Sequence, residues 1–187
     1  MKKIGSLYLL IILFTFANYS LEAQKIGIKS STISFFSDGL LEDIAAVNTA
    51  SQAILNLVDG AFVLRIPITS FEFPNQLMQE HFNENYMESS KYPKATFKGE
   101  IKDFENLNLE TDGTYVVEVV GDLTIHGVTK PIKSKAKFKV LEDKITASSD
   151  LNVLVADYKI DVPAVVKENI AKEIEISIKT EYELLDR

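Results

Sequence analysis

From Tyr115 to Lys139 the chain alternates between apolar and polar residues, and this alternation limits the fold more than any other feature. Tyr115, Val117, Val119, Leu123 and Ile125 share one parity. Past Gly127, Ile132, Ala136 and Phe138 fall on one side and Lys133, Lys135, Lys137 and Lys139 on the other. A period of two is the mark of a strand with one face buried and one in water. Between the runs, His126 to Pro131 carries a glycine and a proline, which suit a tight connection better than a continued ladder. The stretch reads as a long antiparallel hairpin, and the functional question is what its apolar face is for.

The rest of the chain repeats the pattern. Ser31 to Ser37 reads as a first strand, while Asp43 to Ala50 suits a short strand or a helical turn equally well. Ala53–Val58 and Ala61–Thr69 flank Asp59-Gly60, a strong hairpin signal. Pro67 in the second arm implies an edge, a bulge or a gap in pairing. From Asn75 the period changes: Leu77, Met78, Phe82 and Tyr86 recur at helical spacing behind an Asn75 N-cap. That apolar stripe is read as packing on the sheet or plugging a barrel end. Strands return over Ala95–Phe104 and Lys144–Val155. Asp157–Ala164 is irregular, and Val165–Ala171 has room for one more helical turn. In the last strand Ile174, Ile176, Ile178, Tyr182 and Leu184 oppose Glu173, Glu175, Lys179, Glu181 and Glu183. Seven or eight short strands with one helical insertion predict an antiparallel sandwich or barrel. Closure of the last strand on the first would remove both edges.

The N-terminus reads as an address. Met1-Lys2-Lys3 is a positive head, Leu7–Phe16 is almost wholly apolar, and a more polar stretch ends at Ala23-Gln24. That order is the one of a secretory signal peptide, with cleavage expected near Ala23, giving residues 1–23 as leader and 24–187 as one domain. The apolar run is short of the ~20 residues of a membrane-spanning helix. An exported, periplasmic protein is expected. With no cysteine, a lipid-modified cysteine is excluded and the core must hold without disulfides. The chain carries 20 basic and 27 acidic residues, a net charge of −7, and loses one more positive charge with the leader. Such a surface repels phosphate backbones, so no nucleic acid partner is expected.

Two motifs carry a resemblance. Lys91-Tyr92-Pro93-Lys94-Ala95-Thr96-Phe97-Lys98-Gly99 is followed by Gly121-Asp122-Leu123-Thr124-Ile125-His126-Gly127-Val128-Thr129-Lys130-Pro131. Together with the helical segment before them they resemble the YceI-like family, over roughly Ser31 to Leu184. The resemblance implies an all-β fold: an eight-stranded antiparallel, lipocalin-like barrel with one short helical insertion. It also implies an exported protein that holds a polyisoprenoid or other lipid chain in the barrel.

Chemistry-bearing residues are few. His126 stands at a turn beside a glycine and is read as a ring hydrogen-bonded to backbone carbonyls. His81 lies among Gln79, Glu80 and Glu84 without the His-Glu-x-x-His spacing of a zinc helix, so a solvated face is expected and no metal. The sequence holds no nucleophile elbow and no glycine-rich phosphate loop, and neither an enzyme nor a cofactor is predicted. The lysine row and the acids Glu173 and Glu175 read as solvated faces. An eight-stranded barrel either fills with side chains or holds one small ligand. An open one would be lined by the inward parity: Phe35, Phe62, Leu64, Ile66, Phe97, Val117, Val119, Phe138 and Ile176. The function read from this is non-catalytic binding of a polyisoprenoid or fatty chain, as carrier or store. Two rivals are a filled barrel acting through its surface and a small outer-membrane barrel. The interrupting helix and the missing aromatic girdles oppose the latter, so a chain that does not span the membrane is expected. Oligomeric state is open, with edge pairing into a homodimer one route.

Overall fold

The computed structural model describes residues 25–40, 42–142, 144–166 and 169–184. The expected leader and its cleavage point at Ala23 lie outside them. Ten strand segments follow one another: β1 (Lys25–Ser37), β2 (Ile44–Asn48), β3 (Gln52–Asn56), β4 (Ala61–Pro67), β5 (Phe71–Glu72), β6 (Lys94–Ile101), β7 (Gly113–Ile125), β8 (Val128–Leu141), β9 (Lys144–Leu154) and β10 (Glu173–Leu184). All pairings are antiparallel, and β10 pairs with β1 from Ile26 opposite Leu184 to Phe36 opposite Glu175. β2 and β3 lie on the same edge of β1, with Ile33 opposite Asn48 and Gly27 opposite Ile54. They therefore act as one interrupted strand. β4 and β5 act as another, so the ten segments make a closed barrel of eight strands. Closure consumes both terminal edges, as expected from the alternation of the last strand.

Three walls of the barrel change phase at one corner. In β1 the register slips between Ile28 and Ser30, and the buried parity moves from Ile26 to Ser31 and Ile33. Such a bulge bends the strand and re-aims its side chains. Between β2 and β3 the parity shifts across residues 49–51, and after Pro67 a 3-10 turn (Ile68–Ser70) interrupts the third wall. Asn48, fully buried, holds this corner together. Its amide donates to the Pro67 carbonyl at 2.8 Å. Its carbonyl accepts from the Ala50 N–H at 2.9 Å and the Ser51 hydroxyl at 3.0 Å. The Ser31 hydroxyl in turn donates to the Ser51 carbonyl. Pro67 thus marks a gap in pairing, one of the three readings the sequence left open. Because Asn48 satisfies backbone groups that the broken ladders leave behind, Asn48→Ala is expected to cost about 3 kcal/mol. A thermal melt should show the midpoint falling by roughly 10 °C; an unchanged midpoint would mean that water replaces the amide.

Asn75 caps α1 (Gln76–His81), its side chain accepting from the Leu77 N–H at 2.9 Å, as the sequence predicts. The helix then widens into one π-helical turn, Phe82–Tyr86. Phe82 packs among Phe35, Phe71 and Phe73, with ring centroids 5.0–5.6 Å apart. Aromatic packing of this kind fastens the helix to the barrel wall. The ambiguous Asp43–Ala50 stretch contains strand β2. Where a helical turn was expected over Val165–Ala171, a short 3-10 turn spans Ala164–Val166, and residues 167–168 lie outside the description.

Sidedness is plain. Lys133, Lys135, Lys137 and Lys139 are exposed on the outside of β8, where Lys133 pairs with Glu118 at 2.7 Å. Most of the large apolar side chains point inward, although Phe36, Val47, Ile54, Val63, Val116 and Leu154 are exposed on the outside. This is the reverse of a transmembrane barrel, whose apolar band faces out.

Candidate functional site

The two ends of the barrel differ. At one end Ile26, Leu55, Ile101, Leu107 and Val140 are all buried and fill the interior. The opposite end gathers the connections that follow β1, β5 and β9: residues 38–40 and 42–43, the segment carrying α1, and residues 155–166 and 169–172. Between the filled base and these connections lies a cavity of about 500 Å³. That size falls within the ~300–1,000 Å³ typical of small-ligand sites. One flank is aromatic, built from Phe35, Phe71, Phe73 and Phe82; the other is aliphatic, with Ile132, Leu151, Ile174, Ile176 and Ile178. Glu42, Asn75, His81 and Asn169 come from the connections and mark the mouth, while Ser134, Ser149 and Thr180 add hydroxyl-bearing residues from the strands. Leu77, also in the lining, remains more than half exposed at that rim.

Eight of the nine residues predicted to face an open interior line this cavity: Phe35, Phe62, Leu64, Ile66, Phe97, Val119, Phe138 and Ile176. Val117 does not. It has the inward parity and packs against the core opposite Ala136, but does not line the cavity. The sequence reading missed Phe71, Phe73 and the β9–β10 crossover residues Tyr158, Ile160 and Val162, which also line it. Phe71 and Phe73 sit just past the break after Pro67, where no run was long enough to give a period. The crossover residues have no periodicity at all.

Phe97 owes its position to two glycines. Gly99 and Gly121 are directly paired across β6 and β7 and share the inward parity of Phe97. The Phe97 ring lies over both, and a Cβ on Gly121 would come within 2.8 Å of its Cζ. This explains why the two motifs carry glycine at these positions: they make room for a ring in the wall. The motifs also meet at the mouth. His126 and Gly127 form the two-residue β7–β8 turn with φ of 50° and 73°, the pairing required by a type I′ hairpin. The connection is therefore shorter than the six residues read from sequence, and Pro131 already lies in β8 opposite Asp122. The Tyr92 ring packs edge-on against His126 at 4.4 Å, on the spot a Cβ at Gly127 would occupy.

His126 bonds one backbone carbonyl, as expected: Nδ1 donates to Tyr158 O at 3.2 Å. Its other nitrogen has a partner the sequence did not suggest, the Glu88 carboxylate at 2.8 Å. Together they tie the helix exit, the β7–β8 turn and the crossover into one rim. His81 is exposed at the mouth, and among the described residues no group of three acids or histidines is placed to hold a metal. Tyr158 and Tyr182 both line the cavity. Burial pushes both phenols above their ordinary value, with Asp157 adding to the effect at Tyr158 and a Thr180 hydrogen bond opposing it at Tyr182. Both therefore stay hydroxyl donors in an apolar wall.

A YceI-like domain model matches residues 21–182. The chain belongs to the YceI-like family. Among curated relatives, UPF0312 proteins of Vibrio parahaemolyticus and Vibrio cholerae are 31% and 34% identical over 84 residues, 44% of this chain and 41% of theirs. One from Pseudomonas savastanoi is 38% identical over 56 residues, 30% of this chain and 26% of its own. The matches thus span less than half the length of those relatives. Solved structures share the fold more fully. A polyisoprenoid binding domain from Saccharophagus degradans, implicated in plant cell wall breakdown, superposes with a TM-score of 0.75 at 16% identity, over 86% of this chain and 98% of that one. BcnA of Burkholderia cenocepacia gives 0.66 at 16% identity, over 81% and 95%. The Campylobacter jejuni YceI protein gives 0.55 at 19%, over 71% and 78%. At these identities the YceI-like likeness is one of fold.

Proposed function

We propose that this YceI-like protein binds a long apolar lipid, a polyisoprenoid or fatty chain, non-covalently inside its barrel and serves as its carrier or store. The observation that carries the reading is the cavity of about 500 Å³ with carbon on nearly every wall. Burying ten methylene-sized groups there would contribute about 8 kcal/mol before ordering costs. Part of that is lost in holding a flexible chain still. Micromolar retention needs about 8.2 kcal/mol net, so the ligand must bury more than ten such groups, as a long prenyl or acyl chain can. The eight inward residues named above are the contact surface, and Phe82 brings the helix into it. The solved relative described as polyisoprenoid binding supports the same ligand class. Nothing in this role asks for bond-making, and the protein acts by binding. The test is titration of delipidated protein with a fluorescent prenyl or acyl chain. Saturable uptake that unlabelled lipid displaces is expected, and no uptake at all would contradict the proposal.

Export to the periplasm goes with this role, through the leader read at residues 1–23. Fractionation of the native host should recover the mature protein in the periplasmic extract without detergent. Recovery only from membranes with detergent would contradict that placement.

A further inference from the structure

The ladder between β8 and β9 stops partway along the barrel. It runs from Leu141 opposite Lys144 to Ala136 opposite Ser149 and goes no further. Beyond that point both strands continue toward the mouth, β8 back to Val128 and β9 on to Leu154. Each stays laddered to its other neighbour: β8 to β7 as far as Val128 opposite Ile125, and β9 to β10 as far as Leu154 opposite Glu173. Two well-formed strand edges therefore face each other without pairing. Two sequence features go with the break. Ser134 and Ser149 stand at the end of the ladder with their hydroxyls 3.1 Å apart. The Ser134 hydroxyl donates to the Asp150 carbonyl at 3.2 Å, and the Ser149 hydroxyl to the Lys135 carbonyl at 3.0 Å. Lys135 and Asp150 are the next pair the ladder would form, so side chains occupy acceptors that belong to it. Because the Lys135 carbonyl faces β9, the two-residue period turns the main-chain groups of Lys133 and Pro131 the same way. Pro131 has no N–H to give there, and proline is tolerated where no ladder bond is needed. The cavity reaches both lips of this seam. Its lining takes in Ile132 and Ser134 from β8 and Ser149, Leu151 and Val153 from β9. It also includes Ser148, which lies opposite Lys137 and Lys179 and so has the outward parity.

We infer that the seam between β8 and β9 is a lateral portal, through which an apolar chain passes sideways into and out of the barrel. The inference rests on the lipid-binding reading of the cavity and adds the route its ligand takes. Parting two laddered strands strips backbone donors and acceptors of their partners, which is costly beside an apolar interior. Along the seam there is no ladder to break. Ile132 on one lip and Leu151 on the other offer apolar contact to a passing chain, and the Ser134–Ser149 contact marks where the parting ends. At its mouth end the seam is bounded by the β9–β10 crossover. There the Tyr158 carbonyl accepts from His126 at 3.2 Å, and Asp157 lies 3.7 Å from Lys130. The portal is thus a window in the wall, framed by hydroxyls at one end and by these polar ties at the other.

The chain has no cysteine, so an introduced pair can be addressed alone. Lys133 and Asn152 are exposed on opposite lips and would face each other if the ladder continued. In delipidated Lys133→Cys/Asn152→Cys protein a short bis-maleimide links the lips, and N-ethylmaleimide caps the same cysteines as the control. Stopped-flow mixing with dansyl-labelled undecanoate reads the rates. The linked protein is expected to take up and release the probe at least about tenfold more slowly than the capped one, with affinity within about twofold. Hydrogen exchange tests the seam without lipid. The Lys133 amide, which faces β9 unpaired, should exchange at least about a hundredfold faster than those of Lys137 and Lys139, which lie within the ladder. Rates that the link leaves unchanged, or a Lys133 amide as protected as that of Lys137, would each overturn the portal. A capped protein that binds no probe would instead remove the lipid reading itself, and the portal with it.

Discussion

Ala147→Trp is expected to weaken lipid binding about a hundredfold while the barrel still folds. Ala147 lies on β9, faces the cavity and is only half-buried there. An indole at this position projects into open volume and not into packed core. If it displaces about four methylene-sized groups of the ligand, the loss is about 3 kcal/mol, or on the order of a hundredfold in affinity. Titration with the fluorescent lipid measures the loss, and near-ultraviolet circular dichroism with a thermal melt checks the fold. Uptake equal to that of the native protein would mean that lipid sits elsewhere. Substitution of Val117, which packs against the core without lining the cavity, gives the contrasting case: Val117→Ala should lower stability and leave affinity nearly unchanged.

Gly121→Val is expected to do the opposite and remove the fold. A Cβ on Gly121 would run into the Lys98 carbonyl oxygen, come within 2.5 Å of the Gly99 Cα and reach 2.8 Å from the Phe97 ring. Two of these three neighbours are backbone of the paired strand β6, so moving the phenyl ring gives no relief. Overpacking against immovable atoms costs about 3 kcal/mol or more. The midpoint should therefore fall by roughly 10 °C, or the protein should fail to accumulate in soluble form. Phe97→Ala in the same chain should give no rescue. Lys98→Ala, at a neighbouring exposed position, should leave the melt unchanged; a stable Gly121→Val protein would contradict the account of the glycine pair.

Legibility of the fold follows the length of each unbroken period. β7, β8 and β10 run for a dozen residues or so in one phase, and their pairing and inward faces could be read directly. β1 could be read only from Ser31. Its first half carries the opposite parity, because the bulge near Lys29 shifts the phase. The same cause hid β5 and the Phe71–Phe73 wall. Alternation also says which way a side chain points but not whether it meets another. The interior lining was thus accessible from sequence, whereas the cavity depends on how far apart the closed walls stand. The rim was further out of reach. His126 and Glu88 are 38 positions apart, and only the β7–β8 turn, the helix exit and the crossover together bring them into contact. The lysine row of β8 and the acids Glu173 and Glu175 of β10 hinted at which face is wet, and the structure agrees with them.

The central claim is that the barrel holds a lipid. Native mass spectrometry of the mature protein purified from its own host tests it most directly, paired with organic extraction, because expression elsewhere risks loading a foreign lipid. The account predicts a discrete mass above that of the polypeptide, which extraction converts into one prenyl or acyl species. A bare polypeptide mass that stays unchanged after incubation with isoprenoids and fatty chains would contradict it.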